Sequence, residues 1–158
     1  MKSKIIIILI LGSFLLINFG CEKNAGDDST HSTYPIDISF TEIGKGALYG
    51  NGAENIPQQN IVITNQTQFN DLINSMNTVN NVSNSFTETS IDFNTYQIIA
   101  VFKEVKPTSW KVEITSVIEN AENITILIIE TENESTVITQ PFHIVKIPKT
   151  TKPIVFEQ

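Results

Sequence analysis

No arginine occurs anywhere in the 158 residues; the ten basic side chains are all lysine, set against 17 Asp and Glu. Nucleic-acid binding needs clustered Lys and Arg to neutralise phosphates. An arginine-free chain of formal net charge −7 is a poor candidate for it, and the same sign of charge disfavours electrostatic adsorption on anionic lipid. Histidine is scarce too: His31 and His143 are the only two. The single cysteine, Cys21, leaves a zinc site to be built mainly from carboxylates, which is uncommon. A lone cysteine in an exported chain is a free thiol, half of an intermolecular disulfide, or a lipidated N-terminus.

Position decides among these three. Lys2 and Lys4 form a positive start, and Ile5 to Ile17 then run without a charge, interrupted by Gly12 and Ser13. The run is shorter than the roughly 20 residues a membrane-spanning helix needs and has the size of a signal-peptide core. Gly20 supplies the small residue a signal peptidase requires, directly before Cys21. The arrangement resembles a lipobox, in which the thiol is diacylglycerylated, the signal is cut off, and the new amine is acylated. Asn18 stands where Leu is usual, and Phe19 is bulkier than usual. Residues 1–20 are therefore read as a lipoprotein signal peptide and Cys21 as the lipidation site. Two or three acyl chains anchor stably where one does not. Cleavage leaves eight lysines against 17 acids, a net of −9.

Residues 21–33 carry no apolar period and read as a flexible tether. Its acidic start resembles the surface-export signals of some Gram-negative lipoproteins, a solvated linker being the plain alternative. Asp28-Ser29-Thr30 resembles a short O-glycosylation acceptor, a three-residue match of little specificity.

Residues 34–158 read as one β-rich domain. Ile36 to Phe40 alternates as a half-buried strand should. Gly44, Gly46, Gly50 and Gly52 punctuate a loop or hairpin; their spacing is not a phosphate-binding fingerprint. Asn60 to Ile63 is a short strand. Phe69, Leu72, Ile73 and Met76 fall on one helical face, with Asn65 as N-cap and Gln68 as its capping-box partner. Asn77 to Ser90 reads as a surface loop. Ile98 to Phe102 and Ile124 to Ile129 are apolar on both faces, as central strands are. Trp110, Val112 and Ile114 alternate with Lys111, Glu113 and Thr115. Thr136 to Ile147 is a strand in which Pro141 marks a bulge or an edge position, and Ile154 to Phe156 closes the chain. Several strands with one helix give an α+β fold: a mostly antiparallel β-sheet domain with one principal α-helix. Ile126, Ile128, Val101 and Trp110 are expected in its core.

Three stretches, "IDFNTYQIIAVF" from Ile91, "KPTSWKVEITSV" from Lys106 and "TQPFHIVKIPK" from Thr139, resemble the C-terminal domain of PrcB, the protease-complex stability protein. The family pattern is a vDF entry into an apolar strand, a K-P-t-G-G-y turn into an alternating strand, and a t-x-P-y-h-x-V-x-i-P close. Asp92-Phe93, Lys106-Pro107-Thr108 and Pro141-Phe142-His143 through Pro148 keep that order, with Ser109-Trp110 in place of Gly-Gly-Tyr. The resemblance covers residues 91–158. Its namesake is a lipoprotein that binds and stabilises a surface protease, and no catalytic residues attach to the domain.

Little in the residues themselves points to chemistry. His31 lies in the tether. His143 lies in a strand, facing with Val145 and Ile147, and reads as structural rather than as a general base. Glu130, Glu132 and Glu134 share one strand face and read as an exposed edge, with cation binding a distant second. The expectation is a non-catalytic protein-interaction module with no catalytic, metal or cofactor site. It would bind or stabilise a partner such as an exported protease and be held by its anchor in the cell envelope, at the outer membrane of a Gram-negative bacterium. The alternatives are a protease inhibitor acting through a protruding Gly44–Gly52 loop, a small-molecule- or glycan-binding lipoprotein, and, last, a hydrolase.

Lipidation has a direct mass signature. The protein extracted from membranes should have lost residues 1–20 and gained acyl mass, and Cys21→Ser should release it from the membrane. An uncleaved Cys21→Ser protein that stays integral at wild-type mass and amount would contradict the assignment.

Overall fold

The computed structural model describes residues 33–49, 51–133 and 135–158. The signal segment, Cys21, His31, nearly all of the tether, Gly50 and Glu134 lie outside the described residues. Eight strands and one α-helix follow in chain order: β1 (Ile36–Asp37), β2 (Thr41–Leu48), β3 (Gln59–Ile63), α1 (Gln66–Met76), β4 (Tyr96–Phe102), β5 (Trp110–Glu119), β6 (Ile124–Glu132), β7 (Gln140–Pro148) and β8 (Ile154–Glu157). They form two four-stranded sheets, ordered β1-β5-β6-β8 and β2-β7-β4-β3. All pairings are antiparallel except β6 with β8. The α+β class is as the residues led us to expect. No described helix is long and apolar enough to cross a membrane.

The sheets stack through one apolar layer. Ile99, Val101, Val145 and Ile147 from the second sheet meet Val112, Ile114, Ile126 and Ile128 from the first. The opposite face of the second sheet carries a separate core, in which Ile98, Ala100, Phe102, Phe142 and Ile144 pack under Phe69, Leu72 and Met76 of α1. β4 and β7 are therefore covered on both faces, and β4 is the doubly apolar strand its residues describe. β6 is not. It lies inside its sheet, yet Leu127 is only half-buried and Ile129 is 53% exposed. The one described α-helix covers the second sheet, and no described element covers the outer face of the first. Trp110 is likewise half-buried rather than core.

The helix starts as read. Asn65 Oδ1 accepts from the Gln68 N–H at 2.9 Å. Gln68 Oε1 reaches back to the Thr64 N–H at 3.3 Å, one residue before the position a capping box uses. The segment after α1 holds a short 3-10 turn, Val82–Ser85.

Three further expectations change. The alternating Ile36 to Phe40 shrinks to the two-residue β1, although Ile38 still donates its N–H to Val117 O at 2.8 Å. Gly44 and Gly46 do not mark a loop; they lie within β2. A Cβ at Gly44 would sit 2.4 Å from the Phe86 ring, so glycine here makes room for an aromatic packed on the strand, beside a bulge between Glu42 and Gly44. Of the three described glycines in this run, Gly52, with φ +73, serves a turn, bonding back to Tyr49 O. Pro141 stands neither at a bulge nor on an edge strand: β7 lies between β2 and β4. It is tolerated because the β4 ladder ends at Phe102, opposite Phe142, so the missing N–H falls just past the last regular pair. Its carbonyl still accepts from the Lys103 N–H at 3.0 Å.

Phe86 is held by the Phe142 ring, 6.2 Å away between centroids, so it cannot swing aside freely. Gly44→Ala should cost about 1–3 kcal/mol, the range for overpacking. In a Phe86→Ala background the same change should cost less than half as much, read from a double-mutant cycle by denaturant titration. Equal costs in the two backgrounds would refute the packing reason for Gly44.

Candidate functional site

The two sheets come together along one side, where β5 faces β7 and β2. β1 pairs only with Ile118 and Glu119 of β5, so Trp110 to Ile114 has no second strand beside it among the described residues. Side chains from β7 and the residue before it take up those amides. Thr139 Oγ1 accepts from the Trp110 N–H at 3.0 Å and donates to Thr108 O at 3.0 Å. His143 Nδ1 accepts from the Ile114 N–H at 2.7 Å. Thr139 also exchanges backbone bonds with Lys106.

His143 is 2% exposed and faces the inter-sheet layer with Val145 and Ile147, the face the alternation assigns it. Because Nδ1 accepts, the ring proton belongs on Nε2, an assignment made from hydrogen bonding. Nε2 lies 3.3 Å from Glu42 Oε2, without hydrogen-bond alignment. Burial pushes the His143 pKa below its ordinary value; Glu42 and Glu113 oppose that shift, and Lys45 adds to it. Lys45 lies beside the group on β2, bonded to Glu113 Oε1 at 2.7 Å and 3.4 Å from Glu42. The Glu113 bond raises the Lys45 pKa and lowers that of Glu113.

Three surface hollows share β2. One, of about 300 Å3, opens toward β5 and is lined by Lys45, Ala47, Trp110, Val112 and Thr139. Another, of about 480 Å3, lies on the opposite face of β2 against Gly46, Asn80, Asn81, Ser85 and Phe142. The third, of about 540 Å3, lies past the end of the strand among Leu48, Tyr49, Val137 and Ile138. Tyr49, Val137 and Ile138 are at least half exposed, an apolar rim at this end of the sandwich. Trp110 is fixed in the first hollow by its own Nε1–H bond to Thr108 Oγ1 at 2.9 Å, and Lys106 Nζ stands 4.9 Å from its ring.

The acidic run on β6 differs from its reading. β6 is an inner strand, and Glu130 is matched by lysines: Lys103 Nζ at 2.9 Å and Lys106 Nζ at 3.7 Å. Glu132 accepts from Thr108 Oγ1 at 2.7 Å. Lys103 is 1% exposed, a buried ammonium that needs such a partner; its place directly after an apolar strand gave no signal of burial. Glu54 and Gln140 were also missed. Both are buried at the foot of the apolar rim, Glu54 accepting from the Tyr49 N–H at 2.8 Å and Gln140 donating to Ile56 O at 2.6 Å. Among the described residues no three His, Cys, Asp or Glu side chains converge as metal ligands do.

No family model, curated protein or solved structure matches the chain. The likeness of residues 91–158 to the PrcB C-terminal domain thus rests on the quoted motifs alone.

The His143 bond has a pH signature. A protonated ring carries a hydrogen on Nδ1 and cannot accept from Ile114. The unfolded chain takes up a proton near pH 6.5 while the folded ring, with its lowered pKa, resists it. Stability should therefore fall as pH drops through and below that value. His143→Ala should cost about 1–3 kcal/mol at pH 8, leaving the Ile114 N–H unpaired, and should flatten the slope between pH 7 and the folded-state pKa. A variant with wild-type slope in denaturant titrations across that range would remove His143 as its source.

Proposed function

We propose that the chain is a non-catalytic lipoprotein of the cell envelope, anchored through acyl chains on Cys21, that binds and stabilises a partner protein. The resemblance of residues 91–158 supports an exported protease as that partner. One observation carries the reading: three hollows share an exposed strand, β2, beside an apolar rim, while the one histidine of the described residues is buried with Nδ1 already bonded to backbone. A ring in that state is a structural clip rather than a general base. Exposed apolar surface gathered at one place marks an interaction site. The absence of arginine and the excess of acids favour a protein partner over nucleic acid, with the lipid anchor providing the membrane contact.

The reading is tested by solubilising membranes in mild detergent and isolating the intact lipoprotein. It should elute with a second protein in fixed ratio, and the lifetime of that protein in cells should shorten several-fold when the lipoprotein gene is removed. A lipoprotein that elutes alone, or a partner with unchanged lifetime, would contradict it.

A further inference from the structure

Resting on the partner-binding reading, we infer that β2 receives an extended segment of the partner as an added strand along Lys45–Ala47. The backbone geometry fixes which groups are free. The Pro141 carbonyl accepts from the Lys103 N–H, so Pro141 and His143 turn their backbone bonds toward β4. Their neighbours Gln140, Phe142 and Ile144 then turn theirs toward β2 and bond Leu48, Gly46 and Gly44, the residues opposite them. Lys45 and Ala47 are left with N–H and C=O pointing outward. The same parity explains why the Ile43 carbonyl, earlier on that edge, is taken by the Thr87 N–H at 2.8 Å. No described residue bonds the outward groups of Lys45 or Ala47, and Lys45, Gly46 and Ala47 are all exposed.

Two donor–acceptor pairs about 6.8 Å apart along a strand are complementary to polypeptide backbone in extended form. The hollows supply side-chain recognition with the alternation a strand requires. By the ladder register Lys45 and Ala47 share the face of His143, the side of the Trp110 hollow, and Gly46 shares the face of Phe142, the side of the other, with all three residues bordering both. A residue opposite Gly46 would enter the 480 Å3 hollow, where glycine leaves the space of a missing side chain beside the Phe142 ring. The ligand is therefore a strand with a bulky apolar residue opposite Gly46 and smaller apolar residues on either side facing Trp110. Charge narrows it further. Lys45 is already matched by Glu113 and Glu42, and the chain is acidic overall, so the segment is neutral or basic.

The probe is the peptide acetyl-Lys-Thr-Val-Phe-Val-Thr-Lys-amide, added to the full chain purified from membranes and followed by residue-resolved hydrogen exchange. It should bind saturably and slow exchange at the Lys45 and Ala47 amides. N-methylating the peptide amides on the edge that meets β2 should weaken binding at least about tenfold, the loss expected from one or two bonds; methylating the opposite edge should change it by less than about twofold. Ala47→Pro removes one outward N–H while keeping the inward bonds of Gly46 and Leu48, and should weaken binding as the first methylation does. No saturable binding up to about 1 mM, an affinity below the range of specific recognition, overturns the inference, as do protection elsewhere or equal losses from methylating either edge. The methylated peptides carry the test if Ala47→Pro fails to fold. If the natural partner is still held by a folded Ala47→Pro protein, strand addition fails and the partner-binding reading survives; if no partner is held by the wild type, that reading fails first.

Discussion

A single buried bond, from the Ile114 amide to His143 Nδ1, lies where the two sheets must be joined without a strand pair. Apolar packing between sheets is non-directional and does not by itself set how they meet at an edge. Along Trp110 to Ile114 the strand-edge amides of β5 have to be satisfied, because a buried unpaired N–H costs on the order of 1–3 kcal/mol. Thr139 and His143 do this from the other sheet. The consequence is a sandwich whose seam is closed by side chains and whose adjacent strand, β2, keeps an edge that no described strand covers.

That open edge carries an uncommon combination. Exposed edge strands invite pairing with other chains and are usually blunted by charge, bulges or covering elements. β2 has some of each: a bulge before Gly44, Thr87 over Ile43, and Lys45 drawn toward Glu113. The protection stops short of Ala47. Beyond it the rim of Tyr49, Val137 and Ile138 is exposed, so the unprotected stretch runs into apolar surface rather than into charged solvent-facing residues. The outer face of the first sheet, with Ile129 and Val155 exposed, is the competing surface, but neither residue lines any of the three hollows along β2.

Much of this fold was legible in the residues, and the failures have physical causes. The period of Phe69, Leu72 and Met76 and the Asn65 cap specify α1 because helix signals are local. The unbroken apolar run of Ile98 to Phe102 specifies a doubly covered strand for the same reason. β2 was misread because glycine ordinarily signals a turn, and only the Phe86 ring, 42 residues from Gly44 in the chain, gives it another purpose. Pro141 reads as a bulge or edge proline because the early end of the β4 ladder cannot be seen from one strand. Ile124 to Ile129 is central in its sheet as its apolar run suggests, but sequence alone does not show that the described helix packs on the other sheet and leaves its outer face open. The seam was the least legible part. His143 and Thr139 each act on an amide 29 residues away, and neither side chain carries a motif that announces it. For Cys21 the position relative to the apolar run was the whole signal.

The central claim, that the Lys45–Ala47 edge is the partner-binding surface, is tested most directly by site-specific photocrosslinking in intact cells. A photoreactive side chain in place of Ala47 should give one discrete adduct with a second protein. The same group in place of Ile129, on the outer face of the first sheet, should give none. An adduct at Ile129 with none at Ala47 would contradict the account.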